Sequence, residues 1–253
     1  MKRARVAYAG AIHEATPHGG GLRLADGRVV AEDAVVWLAP FEVGTIIALG
    51  LNYADHAKEL SFGKQEEPLV FLKGLGSVIG HRGQTRRPRD AAFMHYECEL
   101  AVVIGVPGKG IARADAMGHV AGYTVANDYA IRNFLEPYYR PNLRVKSRDA
   151  CTALGPWLVS RDEVPDPMSL ALSTHVNGAL VQEGNTRDMI HDVASLIEYL
   201  SGFMTLGPGD VILTGTPKGS VDVKAGDEVV CAVEGVGRLV NRLVDDWTPA
   251  PGG

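Results

Sequence analysis

Met94-His95-Tyr96-Glu97-Cys98-Glu99-Leu100 runs directly into Ala101-Val102-Val103-Ile104-Gly105. The second half is short, apolar and β-branched, as expected of a strand entering a core. On a strand Glu97 and Glu99 share a face, about 6–7 Å apart along the chain. Like charges on one face of such a strand are unfavourable unless a positive charge sits between them. A divalent cation would supply it. The competing reading is an edge strand whose polar face meets water. Cys98 points the opposite way, where a packed thiol is expected.

The 253 residues are 46% hydrophobic and 22% charged, with a net charge of −5. That composition suits a soluble globular chain with one large domain, or a main domain with a small appendage. No Lys/Arg stripe points to nucleic acid, and Arg86-Arg87-Pro88-Arg89 reads as a solvated loop. No apolar run approaches the ~18 residues of a membrane span, so no membrane partner is expected. The basic start, Met1 to Arg5, is followed by only seven uncharged residues before His13-Glu14, too few for a signal peptide. Scattered cysteines at 98, 151 and 231 suit a reducing cytoplasm.

Working outward, residues 1–42 read as a small β appendage: strands at Arg5–Tyr8, Leu22–Leu24 and Arg28–Val30, with an Asp26-Gly27 hairpin turn and a boundary at Pro40. Residues 43–253 form the main domain. There, strands are expected at Ile46–Leu51, Pro68–Lys73, Val120–Tyr129, Leu170–Val176, Leu180–Gln182, Val211–Thr214, Glu228–Val233 and Gly237–Val244. Asn177-Gly178 is a hairpin turn, Ala112–His119 a short helix and Val193–Phe203 a longer one. The pattern is that of a β-rich chain with few helices.

Several residues carry possible chemistry. After Asn52, a possible N-cap, a short helical stretch places His56 and Glu59 three apart on one face. A carboxylate beside an imidazole orients it and raises its basicity, as a general base requires; a plain surface pair has the same spacing. Asp128 ends a strand, either as a third metal ligand or as the cap of the next segment. The loop holding Arg140, Arg144 and Lys146 suits an anionic substrate or a solvated surface. The tight turn Gly215-Thr216-Pro217-Lys218-Gly219 could turn backbone N–H groups toward an anion.

Together, His-Tyr-Glu-Cys-Glu (95–99), Asn-Asp (127–128), Lys-Ser (146–147), Asn-Gly (177–178) and Thr-Gly-Thr-Pro-Lys-Gly (214–219) resemble the fumarylacetoacetate hydrolase superfamily over about Ile46 to Val244. Asn127 to Arg132 and Tyr139 to Asp149 are most similar to its homoprotocatechuate-pathway branch. Members of that branch decarboxylate 5-oxopent-3-ene-1,2,5-tricarboxylate and isomerise 2-hydroxyhepta-2,4-diene-1,7-dioate, and some carry two such halves in one chain.

The resemblance implies a β-rich α+β fold, a mixed, roll-like β-sandwich with short helices, assembled as a homodimer. It assigns Glu97, Glu99 and Asp128 to the metal, and His56 and Glu59 to a proton-transfer or water-activating dyad. Arg132, Lys146 and Thr216 match positions that contact the 2-oxo-carboxylate end of a small di- or tricarboxylate. Lys146 would add positive charge at the oxygen on which the dienolate develops. Arg140 and Arg144 would hold the distal carboxylate. An all-carboxylate set suits Mg²⁺, or Mn²⁺. The same groups would serve an acylpyruvate hydrolase of the fumarylpyruvate type or an oxaloacetate decarboxylase, and a metal-binding homologue without catalysis would keep the ligands alone.

Overall fold

The computed structural model describes residues 1–55, 66–135 and 143–246. His56, Glu59 and Arg140 lie outside the described residues. The strands are β1 (Lys2–Tyr8), β2 (Ala11–His18), β3 (Gly21–Leu24), β4 (Val29–Val30), β5 (Val36–Trp37), β6 (Ile46–Gly50), β7 (Leu69–Lys73), β8 (Val78–Ile79), β9 (Gln84–Arg87), β10 (Met94–His95), β11 (Cys98–Ile104), β12 (Val120–Asp128), β13 (Ala130–Ile131), β14 (Thr152–Ser160), β15 (Ala171–Val176), β16 (Ala179–Asn185), β17 (Val211–Leu213), β18 (Glu228–Val233) and β19 (Gly237–Asp245). Helical elements include α1 (Leu143–Lys146) and α2 (Val193–Phe203).

The larger sheet runs β4-β3-β2-β1-β14-β12-β11-β17-β6-β7, with β5 beside β1 and β8 beside β14. Its neighbours are antiparallel except β17–β6 and β14–β8. The second sheet, β16-β15-β18-β19-β9, is parallel only at β19–β9. The chain therefore adopts the mixed, strand-rich sandwich that the resemblance implies.

Every residue of β11 is buried, and its two faces serve different cores. Cys98, Leu100, Val102 and Ile104 pack with Leu172, Val229 and Leu239 of the second sheet and with Leu196 and Leu200 of α2. Ala101 and Val103 pack on the other side with Ile46, Ala48, Ala126, Leu154 and Leu213. Continued by two residues at a time, that second row reaches Glu99 and Glu97. Because β11 lies between β12 and β17, the wetted-edge reading of the two glutamates fails.

Strands of residues 1–42 close a third core around Val6, Leu22, Leu24 and Trp37, and β1 joins the larger sheet through Lys2↔Val159 and Arg3↔Leu158. The Asp26-Gly27 hairpin forms between β3 and β4. Strand β2 has no clear alternation of burial, so its sequence gave no period-two signal. Asn177 and Gly178, with φ of 51° and 81°, make the left-handed turn between β15 and β16. Helix α2 spans the expected residues, with the Asp192 carboxylate accepting from the Ser195 N–H at 2.8 Å. The 112–119 segment is shorter than expected, a 3-10 turn over Ala116–His119.

The arginine cluster at 86–89 is not simply a solvated loop. The Arg87 guanidinium, 11% exposed, reaches Asp222 at 2.8 Å and the carbonyls of Val223 and Ala91 at 2.6 and 2.7 Å. Asp222 also accepts from the Met94 N–H at 2.9 Å. This pair fixes the chain as it enters the acidic stretch.

Candidate metal centre

Strands β11 and β12 pair antiparallel, with Cys98 opposite Asn127 and Glu99 opposite Ala126. That register gathers Glu97, Glu99 and Asp128 at one end of the ladder, where they offer carboxylate oxygens within 4.8 Å of one another, all buried. Asn127 Oδ1 accepts from the Glu97 N–H at 3.1 Å, and the Glu97 carbonyl accepts from the Asp128 N–H at 3.0 Å. Glu97, which precedes β11, is thereby held to β12 through both its N–H and its carbonyl.

The turn after β17 secures Glu99 from the other side. Gly215 N–H donates to Glu99 Oε2 at 2.6 Å. Gly215 has φ +88°, and a Cβ there would stand 3.0 Å from Asn52 Cβ, so a side chain is disfavoured twice. The Thr216 hydroxyl donates to the Cys98 carbonyl at 2.9 Å and accepts from Gln182 Nε2 at 3.1 Å. Asn52 makes long-range contacts that its sequence position did not suggest. Its Nδ2 donates to the carbonyls of His191 and Thr214 at 3.0 and 2.8 Å, and its Oδ1 accepts from the His191 N–H at 2.8 Å.

Two buried lysines face the acids. Lys146 Nζ lies 2.5 Å from Glu97 Oε2 and 2.9 Å from Asp128 Oδ2. Burial works against its charge, but Asp128 and Glu97 outweigh burial and hold its pKa above the ordinary lysine value. Lys73 Nζ donates to Asp128 Oδ1 and to the Lys146 carbonyl. The pKa of Glu99 is also raised, which here disfavours the charged form: burial, then the charges of Asp128 and Glu97, hold its carboxyl well above the usual range.

Those features test whether a cation fits. Glu99 Oε1 is buried with no hydrogen-bond partner, a costly state that a cation ligated there would relieve. The three carboxylates are hard oxygen donors, which match Mg²⁺ or Mn²⁺. With all three ionised, they exceed the two ammonium groups by one negative charge. A divalent cation reverses that excess and makes the site attractive to an anion.

The other expected residues are placed as follows. Lys146 and Thr216 adjoin the triad. Arg132 is half-buried at the start of a 3-10 turn, donates its N–H to the Phe93 carbonyl at 2.9 Å, and its charge bears on His95. Arg144 is exposed; its guanidinium lies 3.9 Å from the centre of the Phe134 ring and 3.2 Å from Asp90.

Three contributors carried no assigned role from the sequence: Lys73, Asn127 and His95. Lys73 is a charge closing an apolar strand, and Asn127 adjoins the candidate ligand Asp128; both were visible signals without a stated partner. His95 Nδ1 stands 2.9 Å from the Tyr96 carbonyl, and its Nε2 is 3.8 Å from Glu97 Oε1. Burial depresses its pKa to about 4, with Glu97 partly opposing. A neutral ring that donates from Nδ1 leaves Nε2 as an acceptor beside the acids.

Residues 45–244 match the family described as fumarylacetoacetate (FAA) hydrolase C-terminal. Over 229 residues, 88% of this chain, the sequence is 55% identical to a 4-hydroxyphenylacetate degradation bifunctional isomerase/decarboxylase from Salmonella dublin. That match covers 53% of the relative, so the chain spans about half the length of the curated relatives of this kind. The structure superposes with TM-score 0.85 on a 5-carboxymethyl-2-hydroxymuconate delta-isomerase from Mycobacterium smegmatis, at 36% identity over 98% of this chain and all of the other. It also matches fumarylpyruvate hydrolase from Pseudomonas aeruginosa in complex with Mn2+ and pyruvate, at TM-score 0.77 and 33% identity over 82% of this chain and 91% of that one.

Proposed function

The chain belongs to the fumarylacetoacetate hydrolase family, and from that premise we propose that it is a divalent-cation-dependent decarboxylase/isomerase of homoprotocatechuate catabolism. Its substrates are 5-oxopent-3-ene-1,2,5-tricarboxylate and 2-hydroxyhepta-2,4-diene-1,7-dioate, and it works as a cytoplasmic homodimer with Mg²⁺, or Mn²⁺ in its place. The observation that carries this reading is the buried triad Glu97, Glu99 and Asp128, with Lys146 bridging Glu97 and Asp128. No helix of the described residues is long and apolar enough to cross a membrane.

Glu97, Glu99 and Asp128 hold the cation, which when bound supplies Lewis-acid polarisation of the 2-oxo group. In the tricarboxylate the departing carboxylate is vinylogous to a β-keto acid. Loss of CO2 therefore leaves its electron pair in conjugation with the 2-oxo group, as a dienolate. Lys146, buried beside the triad, stabilises the oxygen that gains charge. Thr216 fixes the turn on the carboxylate side, and Arg132 attracts the same end of the substrate. Arg140 and Arg144 take the distal carboxylate, for which Arg144 exchanges its Asp90 partner. His56, oriented by Glu59, moves the proton that completes isomerisation.

Product analysis separates this function from its rival, hydrolysis of an acylpyruvate, which the likeness to a fumarylpyruvate hydrolase favours. With purified protein and Mg²⁺, CO2 release from the tricarboxylate and interconversion of the dienedioate tautomers are expected. Release of a second carboxylic acid from fumarylpyruvate, with no CO2 from the tricarboxylate, would overturn the decarboxylase reading.

A further inference from the structure

Lys73 closes the edge strand β7, paired with Ile46 of β6. Its side chain has no solvent exposure. A buried ammonium is costly unless its donors are placed, and this one has two acceptors from different parts of the site: Asp128 Oδ1 and the main-chain carbonyl of Lys146. The next residue continues the junction, with Gly74 N–H donating to Ser147 Oγ at 3.4 Å. Ser77 Oγ then donates to the Gly74 carbonyl at 2.6 Å and shares a hydrogen bond with Thr152 Oγ1 at 2.7 Å.

Lys146 rests on Asp128 Oδ2 and Glu97 Oε2 together, so these two oxygens face a common point. With Oδ1 engaged by Lys73, the carboxylate of Asp128 presents Oδ2 toward Glu97. The same Lys73 fixes the backbone from which Lys146 extends. We propose that Lys73 is a positioning residue of the metal centre. It locks the Asp128 carboxylate in the orientation that binds the cation and ties that ligand to the main chain of Lys146. The inference rests on reading Glu97, Glu99 and Asp128 as a cation site.

The two roles open to such a lysine have opposite signs. A residue that only offsets negative charge competes with the cation, and its removal tightens metal binding. A residue that orients a ligand loosens binding when removed, by about ten- to a hundredfold where such partners are lost.

The test is Mn²⁺ titration of the full chain, followed by the electron paramagnetic resonance signal of the free ion, for the wild type and Lys73→Met. The expected result is a dissociation constant raised by about tenfold or more in the variant. An unchanged or lower constant overturns the proposal while leaving the cation site intact. A wild type that binds no Mn²⁺ overturns both. Should Lys73→Met not fold, the wild-type crystal structure with Mn²⁺ decides. Lys73 Nζ still bonded to Asp128 Oδ1 and to the Lys146 carbonyl supports the role, and a Lys73 turned away from Asp128 refutes it.

Discussion

Gly215 N–H holds Glu99 Oε2 at 2.6 Å, while the other oxygen of the same buried carboxylate has no partner. One half of Glu99 is thus fixed by the fold and the other half is left for a ligand. Without a cation this arrangement is destabilising. Burial and the neighbouring acids raise the Glu99 pKa, so between the ordinary value of 4.5 and that raised value the folded chain holds a proton that the unfolded chain has lost. Folding stability from this group is therefore present at low pH and declines as pH rises. Glu99→Gln should remove the decline. In a metal chelator at pH 8 the variant should melt at least about 2 °C above the wild type, yet bind no Mn²⁺ tightly. Equal melting temperatures would show that Glu99 carries no such penalty.

Lys146 contacts Glu97 Oε2 and Asp128 Oδ2, oxygens of two of the proposed cation ligands. Its replacement by Met should lower kcat about a hundredfold or more, the usual scale for removing a group that stabilises developing negative charge. Mn²⁺ affinity should not fall, since a competitor for Glu97 and Asp128 is gone. Steady-state kinetics at saturating metal, together with a metal titration, read both. A loss of affinity with normal kcat would make Lys146 a structural residue.

The sandwich was legible as a β-rich chain because its strands are short apolar runs bounded by turns, and α2 because Val193–Phe203 has a helical period. Architecture was not, since pairing order depends on which distant strands meet, as when β17 joins β6 in parallel. The acidic triad was legible in part. Glu97 and Glu99 are two apart along the chain, but only the register that sets Cys98 against Asn127 brings Asp128 to them. Lys73 lies too far along the chain from Asp128 for any local spacing to reveal their contact. Arg87 looked solvated because its partner, Asp222, is as remote.

Thr216 has its hydroxyl engaged by Cys98 and Gln182. Thr216→Val would leave the Cys98 carbonyl and Gln182 Nε2 with fewer partners in a buried place, a loss of about 1–3 kcal/mol. Thr216→Ser should restore most of it. Urea unfolding of the two variants checks the stability, and KM for a 2-oxo acid checks the substrate role. A raised KM in the valine variant with unchanged stability would make substrate contact its main task.

His56 and Glu59 act, in the proposed mechanism, on a proton and not on the cation. His56→Ala should abolish tautomer interconversion and leave the Mn²⁺ dissociation constant unchanged. Retained turnover would remove His56 from the mechanism, and weakened metal binding would place it nearer the ligands than its proposed role requires.

His81 offers a pH effect away from the acids. Its ring packs edge-on to Trp37 with centroids 4.9 Å apart, and Nδ1 accepts from the Val240 N–H at 3.1 Å. Burial, then the charge of Arg82, depresses its pKa from 6.5 to about 4. The unfolded chain therefore takes up this proton more readily than the folded one, so the stabilisation is complete above 6.5 and is lost as pH falls toward 4. Between pH 7 and pH 5 the loss from this one group amounts to about 2 kcal/mol. His81→Asn cannot take up a proton in that range, so its unfolding free energy should fall less steeply over the same interval. Parallel slopes in urea titrations at the two pH values would mean that His81 is not held neutral by the fold.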